Sequence, residues 1–282
     1  MDTSPVRDTP SPVEMPELQV QRIIDRLRDV YRKNLAKSAA ARAALAEYGF
    51  TDQSLIERYM GGFSDGTLPK LLPADKSLRG QLTQLGVLDD RAQERFANCV
   101  VFPVDSADGR RVTLWACPKE GPPRFLLTRP VPLWNAIAAK HSAHLYVFDG
   151  PITALSAAAA GLSNIAALDP DAGEPDHKAI TGWGVQGISV IVPATPEGLK
   201  KGKQIQARLE PLKSTLVSIP GCDSLNALFR TQGPKGDPNT SGQDSGQNGA
   251  TPVTWNYDQL PVDNSGAAQY QSLNVQGVNT AA

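Results

Sequence analysis

Two carboxylate-bearing turns follow apolar stretches in the second half of the chain. Asp149 comes directly after residues 144–148, and Asp169 and Asp171 follow residues 163–168. Ligands of an open parallel sheet bind outside the carboxyl ends of its strands, where carboxylate oxygens suit Mg²⁺. Two interpretations stay open. Asp149 either serves a metal site or caps a helix start, and Asp169 with Asp171 either joins that site or forms an ordinary acidic turn.

The stretches around these acids alternate between strand-like and helix-like patterns, which predicts a mainly parallel sheet with helices on both faces. The fold class is therefore α/β. The predicted strands cover residues 144–148, 163–168, 187–192 and 214–219, and the predicted helices cover residues 151–160, 176–184 and 198–212.

The first half of the chain has a different pattern. Apolar residues at three- and four-residue spacing predict an amphipathic helix over residues 17–37, followed by helices over 39–48 and 53–59. Residues 99–104 and 111–116 read as two strands joined by a turn. The polar face of the first helix is basic, which fits either a solvated surface or a face that contacts phosphates or a partner.

Composition excludes several classes of protein. The 282 residues carry 28 Lys and Arg against 29 Asp and Glu, so a uniformly basic nucleic-acid binder is excluded while a local basic face is not. The three cysteines form no CxxC pair, so no zinc site is expected. Without a long apolar run or an apolar signal region at the N-terminus, we expect no membrane association and a cytoplasmic location.

Residues 146–168, a strand ending in Asp149-Gly150 followed by an Ala-rich helix, a glycine and a second strand, resemble the first motif of a Toprim domain. Bacterial-type DNA primases, topoisomerases and related nucleases share that domain. Residues 94–104 and 123–126 resemble the primase segment before Toprim, and residues 220–228 resemble the segment that closes Toprim in phage and plasmid primases. The likeness spans about residues 40–230.

Composition, apolar periodicity and the resemblance together divide the chain into five regions. We expect a disordered leader (1–16), a basic amphipathic helix (17–38), a primase-core-like subdomain (39–135), a Toprim-like domain (136–231) and a disordered polar tail (232–282). The tail composition could not bury enough apolar surface to offset its ordering entropy.

The chain departs from the family at the metal-binding positions. The family uses a glutamate in its first motif and an Asp-x-Asp pair after the third strand, which hold Mg²⁺ for phosphoryl transfer. Here the glutamate position is Asp149, and the Asp-x-Asp positions fall on Pro193 and Thr195. Proline offers no side-chain ligand and threonine only a neutral hydroxyl, so the resemblance implies a degenerate catalytic site.

The resemblance leaves three functions open. The first is a catalytically degenerate, primase-like protein in the replication of a plasmid, phage or other mobile element. It would bind single-stranded DNA or replication proteins. The basic residues that would contact nucleic acid, or else only keep the surface soluble, are Arg95, Arg110, Arg111, Arg124, Arg129, Lys200, Lys201 and Lys203.

The second function is an active primase with a relocated Mg²⁺ site on Asp149, Asp169 and Asp171. The third is a non-catalytic interaction subunit that binds another protein through the helix at 17–37 or through the tail.

Overall fold

The computed structural model describes residues 15–50, 53–59, 61–106, 110–126, 133–171, 175, 177–232 and 271–272. Helix α1 spans Glu17–Lys37, the range that its apolar spacing predicts, and buries one face. Ser38 ends α1 and caps α2 (Ala39–Glu47), where its Oγ accepts a hydrogen bond from the Ala41 N–H at 3.1 Å. Most of the predicted leader lies outside the described residues.

An antiparallel sheet of four strands packs against α1. Its order is β1 (Gly62–Ser64), β2 (Cys99–Asp105), β3 (Arg111–Pro118) and β4 (Arg124–Phe125). Helices α3 (Gln53–Arg58), α4 (Leu68–Leu71) and α5 (Lys76–Gln84) surround it. A Cβ at Gly62 would lie 2.7 Å from the Tyr31 backbone carbon, so only glycine allows β1 to approach α1 this closely.

The second sheet is entirely parallel. Its order is β6 (Ile165–Ala167), β5 (His144–Phe148), β7 (Gly187–Pro193), β8 (Ser214–Ile219) and β9 (Gln271–Ser272). Helices α6 (Pro151–Ala159), α7 (His177–Gly182), α8 (Pro196–Leu209) and α9 (Leu225–Gln232) flank it, with a 3-10 helix at Ala136–Lys140. The predicted α/β class, a helical N-terminal part followed by a parallel sheet between helices, is confirmed.

A shared core joins the two sheets. One cluster of buried side chains includes Phe102 of β2, Phe148 of β5 and Trp134, which lies just before the 3-10 helix. Trp134 also extends the parallel sheet, because its N–H donates to the Ala167 carbonyl at 2.8 Å. The sheet that presents Asp149 therefore packs against the antiparallel sheet through this common core.

Most of the predicted tail lies outside the described residues. Of residues 233–282 the structure describes Gln271 and Ser272, which pair in parallel with Val217 and Ser218 of β8. The prediction of a disordered tail otherwise concerns residues outside the described part.

Within the described part, no helix combines the length and apolarity that a membrane span needs.

Candidate functional site

A cavity of about 190 Å³ opens at the carboxyl edge of the parallel sheet. It lies where three helices begin, since α6 follows β5, α8 follows β7 and α9 follows β8. Parallel strands bring their carboxyl ends to one edge, and helix N-termini there carry partial positive charge. The lining residues are Asp149, Thr153, Val192, Pro193, Gly198, Lys201, Asp223, Ser224 and Leu225.

Asp149 is held from two sides. The Thr153 hydroxyl, one helical turn into α6, donates to Oδ1 of Asp149 at 3.2 Å. The Lys201 ammonium lies 3.7 Å from Oδ2 of the same carboxylate. The Asp149 side chain is 33% exposed and that of Lys201 is 40% exposed, so water still reaches the pair. Asp149 therefore forms an ion pair in the cavity.

Lys201 bridges two acids, Glu197 of α8 and Asp149, which follows β5. Its Nζ also lies 3.3 Å from Oε1 of Glu197, four residues earlier on the same helix. Lysine four residues after glutamate is the favourable orientation of such a pair. The lysine thus brings a positive charge into the cavity beside Asp149.

Pro193 and Thr195 have structural roles at the end of β7. The Thr195 hydroxyl caps α8 by accepting from the Gly198 N–H at 3.0 Å. A Cβ at Gly198 would lie 2.3 Å from the Pro193 carbonyl oxygen, so the first turn of α8 rests directly on the strand end. Neither residue is left to provide an anionic ligand to the cavity.

The side chains around the cavity do not fit a pair of magnesium ions. Such a site needs several carboxylate oxygens, whereas the lining carboxylates are those of Asp149 and Asp223, Pro193 has none and the Thr195 hydroxyl caps a helix. The described residues contain no group of three or more His, Cys, Asp or Glu placed to hold a metal ion. A divalent cation bound to Asp149 would also be repelled by the Lys201 ammonium.

Asp223 and Ser224 also line the cavity, and the sequence prediction missed both. They follow β8, the fourth predicted strand, as Asp149 follows β5. The rule that pointed to Asp149 applies equally at this strand end, since all parallel strands of one sheet end at the same edge. The position of Asp223 and Ser224 after a predicted strand could therefore have identified them from the sequence.

Asp169 and Asp171 lie in a turn after β6. Asp169 is 7% exposed, and its Oδ1 accepts from the Asp171 N–H at 2.8 Å. This is the local hydrogen bond of an Asx turn. Neither acid lines the cavity at Asp149.

Two of the predicted nucleic-acid-binding arginines are neighbours in the antiparallel half. An Nη of Arg124 donates to the Arg95 carbonyl, and Nη1 of Arg95 donates to the Gly86 carbonyl at 2.8 Å. Burial, and then the charge of Arg124, lowers the pKa of Arg95. Arg124 thus contacts the backbone of Arg95, and its charge acts on the Arg95 guanidinium.

The remaining predicted basic residues are dispersed. Arg110 pairs with Glu17 of α1 at 2.6 Å. Lys200 and Lys203 are exposed on α8, while Lys201 turns toward Asp149. The backbone of Arg111 belongs to β3, but its side chain and all of Arg129 lie outside the described residues.

Comparison with known proteins gives a likeness of fold. No family model matches the chain. No curated protein matches it either. The structure is similar to that of the DnaG catalytic core (TM-score 0.64, 17% identity, covering 76% of each chain). It is also similar to a DNA primase domain from Pseudomonas aeruginosa (TM-score 0.62, 20% identity, covering 77% of this chain and 75% of that one).

A third similar structure is the DnaG primase catalytic domain bound to ssDNA, with a TM-score of 0.61 and 17% identity over 77% of this chain and 78% of that one. These likenesses show that the chain has the fold of a primase catalytic core. At such low identity they show the fold alone.

Proposed function

We propose that this chain is a primase-like Toprim protein that binds nucleic acid in DNA replication and holds a lysine where the catalytic metal would bind. It acts in the cytoplasm, in the replication of a plasmid, phage or other mobile element. The resemblance of residues 220–228 to phage and plasmid primases supports that last point. In this proposal the chain by itself does not make primers.

The ion pair between Lys201 and Asp149 carries the proposal. Both side chains are partly exposed, and exposed ion pairs stabilise proteins by only about 0–1 kcal/mol. The ion pair therefore contributes little to the stability of the fold. Its clear effect is on the charge of the cavity, because a permanent cation neutralises the carboxylate that a metal would need.

Binding of nucleic acid is supported by the basic side chains and by the fold. The Arg124 side chain contacts the Arg95 backbone, and Lys200 and Lys203 are exposed on α8. A structure of similar fold is bound to ssDNA. Contacts to phosphates release counterions, so we expect an affinity that falls steeply with salt concentration.

The test uses the full chain and a fluorescently labelled single-stranded oligonucleotide. Fluorescence anisotropy would be measured over a series of salt concentrations, with Mg²⁺ and with EDTA, beside a primer-synthesis assay on an unlabelled template. We expect salt-dependent binding that is equal with Mg²⁺ and EDTA, and no primers.

Each other result would overturn the proposal in a defined way. Metal-dependent primers that are lost in Asp149→Ala would show an active enzyme with a relocated Mg²⁺ site. Absence of binding at low salt would leave the interaction subunit as the function of this chain.

A further inference from the structure

A second cavity, of about 280 Å³, lies away from Asp149, between the end of α3, the end of β2, the 3-10 helix and the end of α7. Three aromatic rings line it, from Tyr59, Trp134 and Trp183. Its volume is just below the range of about 300–1,000 Å³ typical of small-molecule sites. The other lining residues are Arg58, Pro103, Asp105, Ser106, Asn135, Ala136 and Ile137.

Trp134 forms the buried part of this cavity and packs against neighbouring aromatic rings. Trp134 is almost fully buried, and its ring lies edge-on to Phe102 with centroids 5.7 Å apart. The Tyr59 ring lies 5.4 Å from the Trp134 ring at an interplanar angle of 39°. Because Trp134 is also tied to β6 through its backbone, its ring is a preformed part of the cavity with little entropy to lose on binding.

The rim of the cavity is apolar and charged, with two cations, Arg58 and Lys140, against one lining acid, Asp105. Ile137 is 50% exposed and is one of three large apolar side chains that stand out from the described surface. Arg58 lines the cavity, and the Lys140 ammonium lies 5.0 Å from the centroid of the Trp183 ring. Aromatic faces flanked by cations match a planar base whose backbone carries phosphates.

We propose that this cavity binds an unpaired nucleobase of single-stranded nucleic acid, stacked on Trp183 and Tyr59, with Arg58 and Lys140 near the adjoining phosphates. This rests on the proposed binding of nucleic acid and adds a second contact site to it. The flanking cations favour a nucleic-acid strand over an apolar peptide segment, which is the other occupant that such a surface could take.

The first test compares oligonucleotides and needs no mutation. A fluorescently labelled oligonucleotide would be compared with one of equal length and charge in which several internal positions are abasic. Stacking of one base changes Kd by about 5- to 150-fold. We therefore expect weaker binding of the abasic strand by that factor, and equal affinities would overturn the proposal.

The second test uses variants of the full chain. Trp183→Ala should weaken binding of the normal strand and leave the abasic strand unchanged, while Trp183→Phe should retain most of the affinity because it keeps an aromatic face. Ile137→Ala, which removes the exposed apolar side chain at the rim, should also weaken binding of the normal strand, and Leu71→Ala, which removes an exposed apolar side chain on α4, is its matched control. Thermal denaturation checks that each variant is folded.

The outcomes separate this inference from the proposed function. If the wild-type chain binds oligonucleotides but Trp183→Ala, Trp183→Phe and wild type have equal affinity, the cavity proposal is wrong and the nucleic-acid function stands. If the wild-type chain binds no oligonucleotide at low salt, both are wrong. The cavity then remains as a surface for a protein segment.

Discussion

The ammonium of Lys201 lies 3.7 Å from the carboxylate of Asp149 in a cavity at the carboxyl edge of the parallel sheet. In the proposed function this single contact replaces the metal chemistry of the site. Asp149 has a partner, Thr195 caps α8, and Pro193 supports the first turn of that helix. The cavity is consequently organised around an internal salt bridge.

Removal of Lys201 should create sensitivity to metal ions. In Lys201→Met the carboxylates of Asp149 and Asp223 would share the cavity without a cation, so Mn²⁺ should bind and stabilise the fold. A ligand at ten times its Kd adds about 1.4 kcal/mol, which corresponds to about 2–4 °C in Tm at this chain length. Differential scanning fluorimetry with Mn²⁺ and with EDTA measures this shift.

Lys200→Met is the matched control, because Lys200 is exposed on the same helix. Neither it nor the wild-type chain should respond to Mn²⁺. A wild-type Tm that rises with Mn²⁺ as much as that of Lys201→Met would contradict the role given to Lys201.

Loss of the hydroxyl at position 195 should destabilise the fold. Thr195→Ala leaves the Gly198 N–H without its 3.0 Å acceptor at the N-terminus of α8. Loss of such a cap costs about 0.5–2 kcal/mol. Urea denaturation should show a lower midpoint for Thr195→Ala and a near-normal one for Thr195→Ser. Equal stability of all three proteins would mean that the hydroxyl is not a cap.

Arg124, which contacts the backbone of Arg95, should contribute to nucleic-acid affinity. In Arg124→Ala we expect weaker binding of single-stranded DNA and a dependence of log K on log salt that is about 0.7 shallower per lost phosphate contact. Lys119→Ala removes the same charge from an exposed residue paired with Glu47 and serves as the control. Anisotropy titrations at several salt concentrations give both slopes. Identical slopes for the two variants would count against a specific role of Arg124.

Gly62 and Gly80 should respond in opposite directions to alanine. A Cβ at Gly62 would lie 2.7 Å from the Tyr31 backbone carbon, so Gly62→Ala must push α1 away from β1 and should lower the free energy of unfolding. Gly80 is exposed within α5 and has nothing within 4 Å of such a Cβ. Gly80→Ala should therefore stabilise the chain by about 0.5–1 kcal/mol. Urea denaturation of both variants tests the contact between α1 and the antiparallel sheet.

The buried carboxylate of Glu94 should make stability depend on pH. It accepts hydrogen bonds from the Ser64 hydroxyl and from the Leu68 N–H, and burial raises its pKa above 4.5. Between 4.5 and the raised pKa the native state holds a proton that the unfolded state has released. The free energy of unfolding should therefore decrease as pH rises through that window and stay constant above it.

Glu94→Gln should abolish this contribution, since glutamine does not titrate. Glu120→Gln, at an exposed position, should leave it intact. Urea denaturation over the acidic range measures the difference. A Glu94→Gln profile with the same decrease as wild type would assign the pH dependence to another group.

Local periodicity alone determined most of the secondary structure. The predicted ranges 17–37, 144–148 and 214–219 are those of α1, β5 and β8. The three- and four-residue apolar spacing of 17–37 specifies a helix, whereas the two short runs specify strands by their length and their β-branched or aromatic residues, so neighbours along the chain suffice in each case. The same pattern also indicated the carboxyl edge, where Asp149 and Pro193 both lie.

The role of Lys201 was decided only by tertiary structure. In the sequence it is one of several basic residues on α8, equivalent to Lys200 and Lys203. The rotation of α8 selects it, because Gly198 and Gly202 press against Pro193 and Leu216 with no room for a Cβ. That leaves the face of Lys201 turned toward Asp149. Which lysine meets the carboxylate depends on packing between elements far apart in the sequence, and no local pattern contains that information.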